Sequence, residues 1–102
     1  MREYELFLPL YYNDGTPIDP SVIPALRVRL LEQFRGVTFF PQPNEGYWQM
    51  AGVTYHDEIV IYRVLSANLR SARSFLRRLK EKLKKDLKQE EILIVERDIR
   101  TL

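Results

Sequence analysis

The chain has 102 residues, 45% of them hydrophobic and 29% charged, with 16 Lys/Arg against 14 Asp/Glu and no cysteine. That length sets one domain, residues 1–102, able to bury a core, and the mix of apolar residues with charges of both signs excludes a disordered chain. The lack of cysteine excludes disulfides, thiolate metal sites and a cysteine nucleophile, and no apolar run approaches the ~20 residues that span a bilayer, so a cytoplasmic setting without a membrane is expected.

Tyr4 to Tyr12 alternates with a period of two, placing Tyr4, Leu6, Leu8 and Leu10 on one side and Glu5, Phe7 and Tyr11 on the other, which predicts a first strand. Pro9 has no N–H to donate, so regular pairing is expected to end near Leu8 or to bulge there. Asn13-Asp14-Gly15-Thr16-Pro17 supplies turn chemistry. Ser21 is the expected N-cap of a first helix, with Pro24 in its first turn and Val22, Ile23, Leu26, Leu30, Leu31 and Phe34 forming an apolar stripe. Gly36 is expected to close that helix in a left-handed conformation.

Val37 to Phe40 predicts a short strand stopped by Pro41-Gln42-Pro43-Asn44. Gly46 to Met50 and Val53 to Tyr55 flank Ala51-Gly52, a hairpin turn, and Glu58 to Leu65 is apolar on both sides, as a buried central strand requires. Ser66 or Asn68 caps a second helix whose stripe is Leu69, Ala72, Phe75, Leu76, Leu79, Leu83 and Leu87. Ile92 to Val95 opens a last strand. The order β-α-β-β-α-β predicts a ferredoxin-like α+β fold: a four-stranded antiparallel sheet in the order 4-1-3-2, two helices on one face, and an extended hairpin between the second and third strands.

Two helices cover one face only. If they cover Leu6, Leu8, Ile59, Ile61, Ile92 and Ile94, then Phe7, Tyr11, Phe40, Val60, Tyr62, Val64, Leu93 and Val95 point away, and the reverse assignment leaves a comparable apolar set outside. Either way a homodimer through the helix-free face is expected, with Phe7, Tyr11, Phe40, Trp48 and Tyr62 as interface or ligand residues. The other occupant of that face is the excursion of residues 41–56, folding back over it.

Tyr55, His56 and Asp57 form the only cluster with acid/base character, but neighbouring strand residues point to opposite sides, so His56 and Asp57 do not share a site without a bulge. No metal is expected from a single histidine and scattered carboxylates, and no cofactor from a chain without a phosphate-type glycine series. Charge is segregated: Ser66 to Gln89 holds nine Lys/Arg and two Asp/Glu. Arg73, Arg77, Lys80, Lys84 and Lys88 line one side of the second helix, a pattern that suits a phosphate backbone or, more ordinarily, a solvated helix face; the net charge of +2 argues against nucleic acid.

Phe34-x-Gly36-x-Thr38, Gly46-x-Trp48, the pair Asp57-Glu58 before an apolar strand, and Gln89-Glu90-Glu91-Ile92 after a basic helix resemble a group of small uncharacterised bacterial proteins with the same element order. The resemblance spans nearly the whole chain. It implies a ferredoxin-like fold and a bacterial cytoplasmic setting, and carries no activity to any residue. The expected function is a homo-oligomeric binding or assembly module rather than an enzyme. The alternatives are a small dimeric α+β-barrel enzyme or small-molecule regulator with its site near Trp48 and His56, and nucleic-acid binding through residues 69–88.

Overall fold

The computed structural model describes all 102 residues, Met1–Leu102. In chain order it contains β1 (Arg2–Pro9), α1 (Val22–Phe34), β2 (Thr38–Met50), β3 (Val53–Ser66), α2 (Leu69–Asp86) and β4 (Ile94–Asp98). The strands form one antiparallel sheet in the order β2-β3-β1-β4, the ferredoxin-like arrangement. No helix is long and apolar enough to cross a membrane.

Register decides which side of the sheet the helices cover. Leu6 stands opposite Tyr62, Leu8 opposite Val60 and Tyr4 opposite Val64, so these six share one side. All are buried with Leu26 and Leu30 of α1 and Ala72, Leu76, Leu79 and Leu83 of α2 in a single core. The expected grouping of Leu6 and Leu8 with Ile59 and Ile61 is therefore corrected. Val60, Tyr62 and Val64 lie under the helices, and Ile59 and Ile61 lie on the open side. Tyr62 in particular is no interface residue: it is fully buried and its hydroxyl donates to the Ile23 carbonyl oxygen of α1 at 2.7 Å. Tyr11 also leaves the sheet, in an isolated bridge to Pro17 within the loop after β1.

Both helices end on a non-glycine residue. Arg35 takes the left-handed conformation expected of Gly36, with φ 67° and its N–H on the Leu31 carbonyl. Lys88 does the same after α2 at φ 53°, with the Gln89 N–H reaching back to Lys84 O at 2.9 Å in a Schellman-type closure. At the start of α1 the Ser21 side chain makes no capping bond; instead the Asp19 carboxylate accepts from the Ser21 N–H at 2.8 Å. Asn68 caps α2 through its side-chain oxygen, which accepts from Ser71 N. Leu31 faces solvent at 49% exposure, outside the α1 stripe in which it was expected.

The largest difference from expectation is β2. It runs through Pro41-Gln42-Pro43 to Met50 as one strand, with an irregularity in pairing between Phe40 and Asn44. β2 is the sheet edge, where a missing N–H leaves no partner unsatisfied, and the bulge absorbs both prolines. Beyond Ile59, the last β3 residue paired with β1, β2 and β3 continue as a two-stranded arm. Its turn is Ala51-Gly52, at φ 52° and 78°, the type I′ pattern that suits the strand twist. The arm contributes to a long axis of 41 Å and a radius of gyration of 14.0 Å.

Candidate functional site

The arm carries the chain's most unusual side chains and separates them by face. Trp48 stands opposite Tyr55 and stacks on it, ring centroids 4.4 Å apart, and its indole N–H donates to Asp57 Oδ2 at 2.6 Å. Tyr47 stands opposite His56 and stacks on it at 4.9 Å. Alternation along β3 places Tyr55, Asp57, Ile59 and Ile61 on the open side and His56 and Glu58 on the other. His56 and Asp57 point to opposite sides of β3 and make no ion pair or hydrogen bond with each other.

Two hollows flank the arm. On the open side a cavity of about 440 Å³ lies between Trp48 and Met50 of the arm, Phe7, Ile59, and the segment joining α2 to β4, of which Leu93 is exposed. The arm thus comes over only the end of the open face. A second hollow, of about 250 Å³, is bordered by Tyr11, Tyr12, Asn13 and Gly15 of the loop after β1 and by the β3 run Tyr55, His56, Asp57 and Glu58, so the three candidate acid/base residues all border it. In that loop Asp14 is committed internally: Oδ1 accepts from Thr16 N at 2.9 Å and Thr16 Oγ1 at 2.6 Å, and these bonds hold its carboxyl below the usual range.

The rest of the open face carries an apolar row and a charged row. Phe7, Ile61 and Phe40 lie side by side across β1, β3 and β2. Beside them, Glu5 is opposite both Arg63 and Val95. Glu3 and Glu5 interlock with Arg63 and Arg97: Arg63 Nη2 donates to Glu5 Oε2 at 3.2 Å, Arg97 pairs with Glu5, and Arg63 Nε lies 2.7 Å from Glu3 Oε1 in an ion pair whose angle makes no hydrogen bond. Glu5 is only 8% exposed although no helix covers it, and its hydrogen bond from Arg97 holds its carboxyl below the usual range. Arg63 also caps the Phe40 ring, 4.9 Å from its centroid. Sequence reasoning missed this quartet because it needs three strands in register; Glu5 and Arg63 alone read as polar interruptions.

The basic side of α2 is partly neutralised within the chain, with Arg70, Arg77, Arg78 and Lys85 in no ion pair. Arg73 binds Glu96 in a two-pronged pair, at 2.8 and 2.7 Å; Lys80 pairs with Glu91 at 2.9 Å and Lys84 with Glu81 at 3.7 Å. Lys88 lies over the Tyr12 ring at 5.8 Å. Of the five expected basic residues only Arg77 is left without a partner. The Glu96 carboxyl is lowered to about 2, chiefly by the Arg73 hydrogen bond and further by one from Tyr4, while burial pushes the Tyr4 hydroxyl up to about 12. No cluster of three or more His, Asp or Glu side chains is arranged to hold a metal ion.

No family model matches the sequence, and no curated protein matches it. Solved structures do share its fold. A mutant of CutA1 from Pyrococcus horikoshii aligns over 100% of this chain and 86% of its own, with a TM-score of 0.62 and 13% identity. A phage SAM lyase in complex with S-methyl-5'-thioadenosine aligns over 95% of this chain and 80% of its own, with a TM-score of 0.73 and 13% identity. At that identity the likeness is one of fold, and the chain takes its place among ferredoxin-like α+β proteins.

Proposed function

We propose that the protein is a homo-oligomeric binding module, in which the helix-free face of the sheet packs on the same face of a second copy. The observation that carries this reading is the make-up of that face. Phe7, Phe40, Ile59, Ile61, Leu93 and Val95 form an apolar surface with no helix over it, beside a quartet of two carboxylates and two guanidinium groups. A contiguous apolar surface without a covering layer is what a protein–protein contact uses. The quartet is neutral as a whole and its charges are already paired within the chain, so it brings no net charge to a contact with a second copy. Glu5, already out of water and ion-paired, adds little further desolvation cost on contact. The separation of His56 from Asp57 speaks for binding over acid/base catalysis.

Light scattering after size exclusion at micromolar concentration tests the reading. The expected mass is twice the 12.2 kDa of the chain. Ile61→Glu, at the centre of the apolar row and partly exposed in the single chain, is expected to return a folded species of 12.2 kDa, with folding checked by circular dichroism. A wild-type mass of 12.2 kDa overturns the reading, and a higher closed assembly overturns its two-fold form.

A further inference from the structure

The cavity under the arm has the chemistry of a specific ligand site. Its walls are apolar, including Phe7, Trp48, Met50, Ile59 and Leu93, and no lysine or arginine lines it. Its charged groups are all carboxylates, Asp57, Glu90 and Glu91, with Gln89 and Tyr47 as neutral polar neighbours. Asp57 makes no ion pair, and its single hydrogen bond is the one that it accepts from Trp48 through Oδ2. Glu90 also has no cationic partner, whereas Glu91 is held by Lys80. An apolar hollow bordered by a half-buried unpaired carboxylate and an exposed one repels anions and favours a cation over a neutral ligand of the same shape.

Gly46 points to the same use. It sits directly opposite Asp57 in the arm, and unlike Gly15 and Gly52 it has no positive φ that would require glycine. Glycine within a strand weakens it, and is accounted for where a bulge or the close approach of another group needs the space. A Cβ at this position would meet nothing nearer than the Asp57 backbone oxygen, at 3.8 Å. The missing side chain therefore relieves no clash within the chain; it leaves the approach to the Asp57 carboxylate open.

We propose that this cavity binds a small organic cation with an apolar or aromatic body, such as a quaternary ammonium, a sulfonium or a protonated arylamine. The body contacts Phe7, Ile59 and Leu93, and the cationic centre lies beside the Asp57 carboxylate and against the Trp48 face that Tyr55 does not cover, where charge pairing and cation–π attraction act together. A bare metal ion is a poor occupant, because hard cations take six or more oxygen ligands and the walls are largely hydrocarbon. The cavity is built by one chain and does not rest on the oligomer reading, but it shares Phe7, Ile59 and Leu93 with the face proposed to meet a second copy; Ile61 lies outside its lining, so the titration is also run on the single-chain Ile61→Glu variant, in which binding is expected to persist.

Trp48 is the only tryptophan, so its indole N–H gives a single resolved ¹H–¹⁵N signal inside the proposed site. Titration of the full chain with benzyltrimethylammonium is expected to shift that signal saturably, benzyl alcohol to bind about tenfold more weakly, and benzenesulfonate not to bind. Asp57→Asn keeps an oxygen to accept the indole N–H while removing the charge, and is expected to weaken benzyltrimethylammonium about tenfold. Gly46→Val keeps ordinary strand geometry and fills the approach; it is expected to abolish the shift, and stands in for Asp57→Asn should that variant not fold. The absence of saturation, equal binding of the sulfonate, or unchanged affinity in the variant that folds overturns the proposal.

Discussion

Arg35 shows how a single backbone angle can be out of step with the local sequence. The chain has a glycine at position 36, yet the left-handed turn that ends α1 falls one residue earlier, on Arg35 at φ 67°. A side chain in that conformation crowds its own carbonyl at a cost of roughly 1–2 kcal/mol, and glycine relieves it while losing part of the gain to the greater freedom of the unfolded chain. Arg35 makes no ion pair whose loss would offset the relief. Arg35→Gly is therefore expected to raise the unfolding free energy by about 0.5–1 kcal/mol, read from the urea midpoint at unchanged slope. The opposite change at the hairpin, Gly52→Val at φ 78°, has no such excuse and is expected to loosen the arm turn.

At the scale of elements, what was legible depended on whether the deciding information is local. The α2 stripe is a 3.6-residue period within one segment, and five of its seven positions, Ala72, Leu76, Leu79, Leu83 and Leu87, are buried, with Leu69 and Phe75 partly so. Leu79, 1% exposed beneath the sheet, is the test: Leu79→Ala is expected to cost about 2–5 kcal/mol in chemical denaturation, a large part of the stability of a small domain, whereas the solvent-facing Leu31→Ala is expected to change it little. The order of elements and the sheet topology followed from the same local periods. The covered face of β3 did not, because Ile59-Val60-Ile61-Tyr62 is apolar on both sides and a one-residue slip exchanges the faces; only pairing with β1 distinguishes them. The arm was cut short in the reading because Pro41 and Pro43 forbid a central strand, and that β2 is an edge is a property of the whole sheet. For the same reason the cavity was only half legible: Trp48 and Asp57 were visible as unusual residues, while Phe7 and Leu93 join them only in three dimensions.

At the scale of the molecule, the segregation of charge along the chain is resolved by folding. Arg73 and Lys80 of the basic helix find Glu96 and Glu91 of the acidic C-terminal segment, and Tyr4 of β1 adds its hydroxyl to Glu96, so one carboxylate ties together α2, β4 and the sheet centre. Because the Glu96 carboxyl is lowered to about 2 from an ordinary 4.5, the folded state binds its proton less readily than the unfolded state. Its contribution is therefore complete above pH 4.5 and is lost as the pH falls through that interval towards 2. Glu5, held low by Arg97, acts in the same direction on the other face of the sheet. Through these groups the melting temperature is thus expected not to vary with pH near neutrality and to fall with acidity across the interval. Glu96→Gln is expected to lower the melting temperature at neutral pH and to flatten the acid decline, since the amide keeps an acceptor for Tyr4 but has no proton to take up. Glu81→Gln, whose pairing with Lys84 is long at 3.7 Å, is expected to leave both unchanged. An acid decline of the same steepness in Glu96→Gln and wild type would show that the junction of α2, β4 and β1 does not depend on this carboxylate.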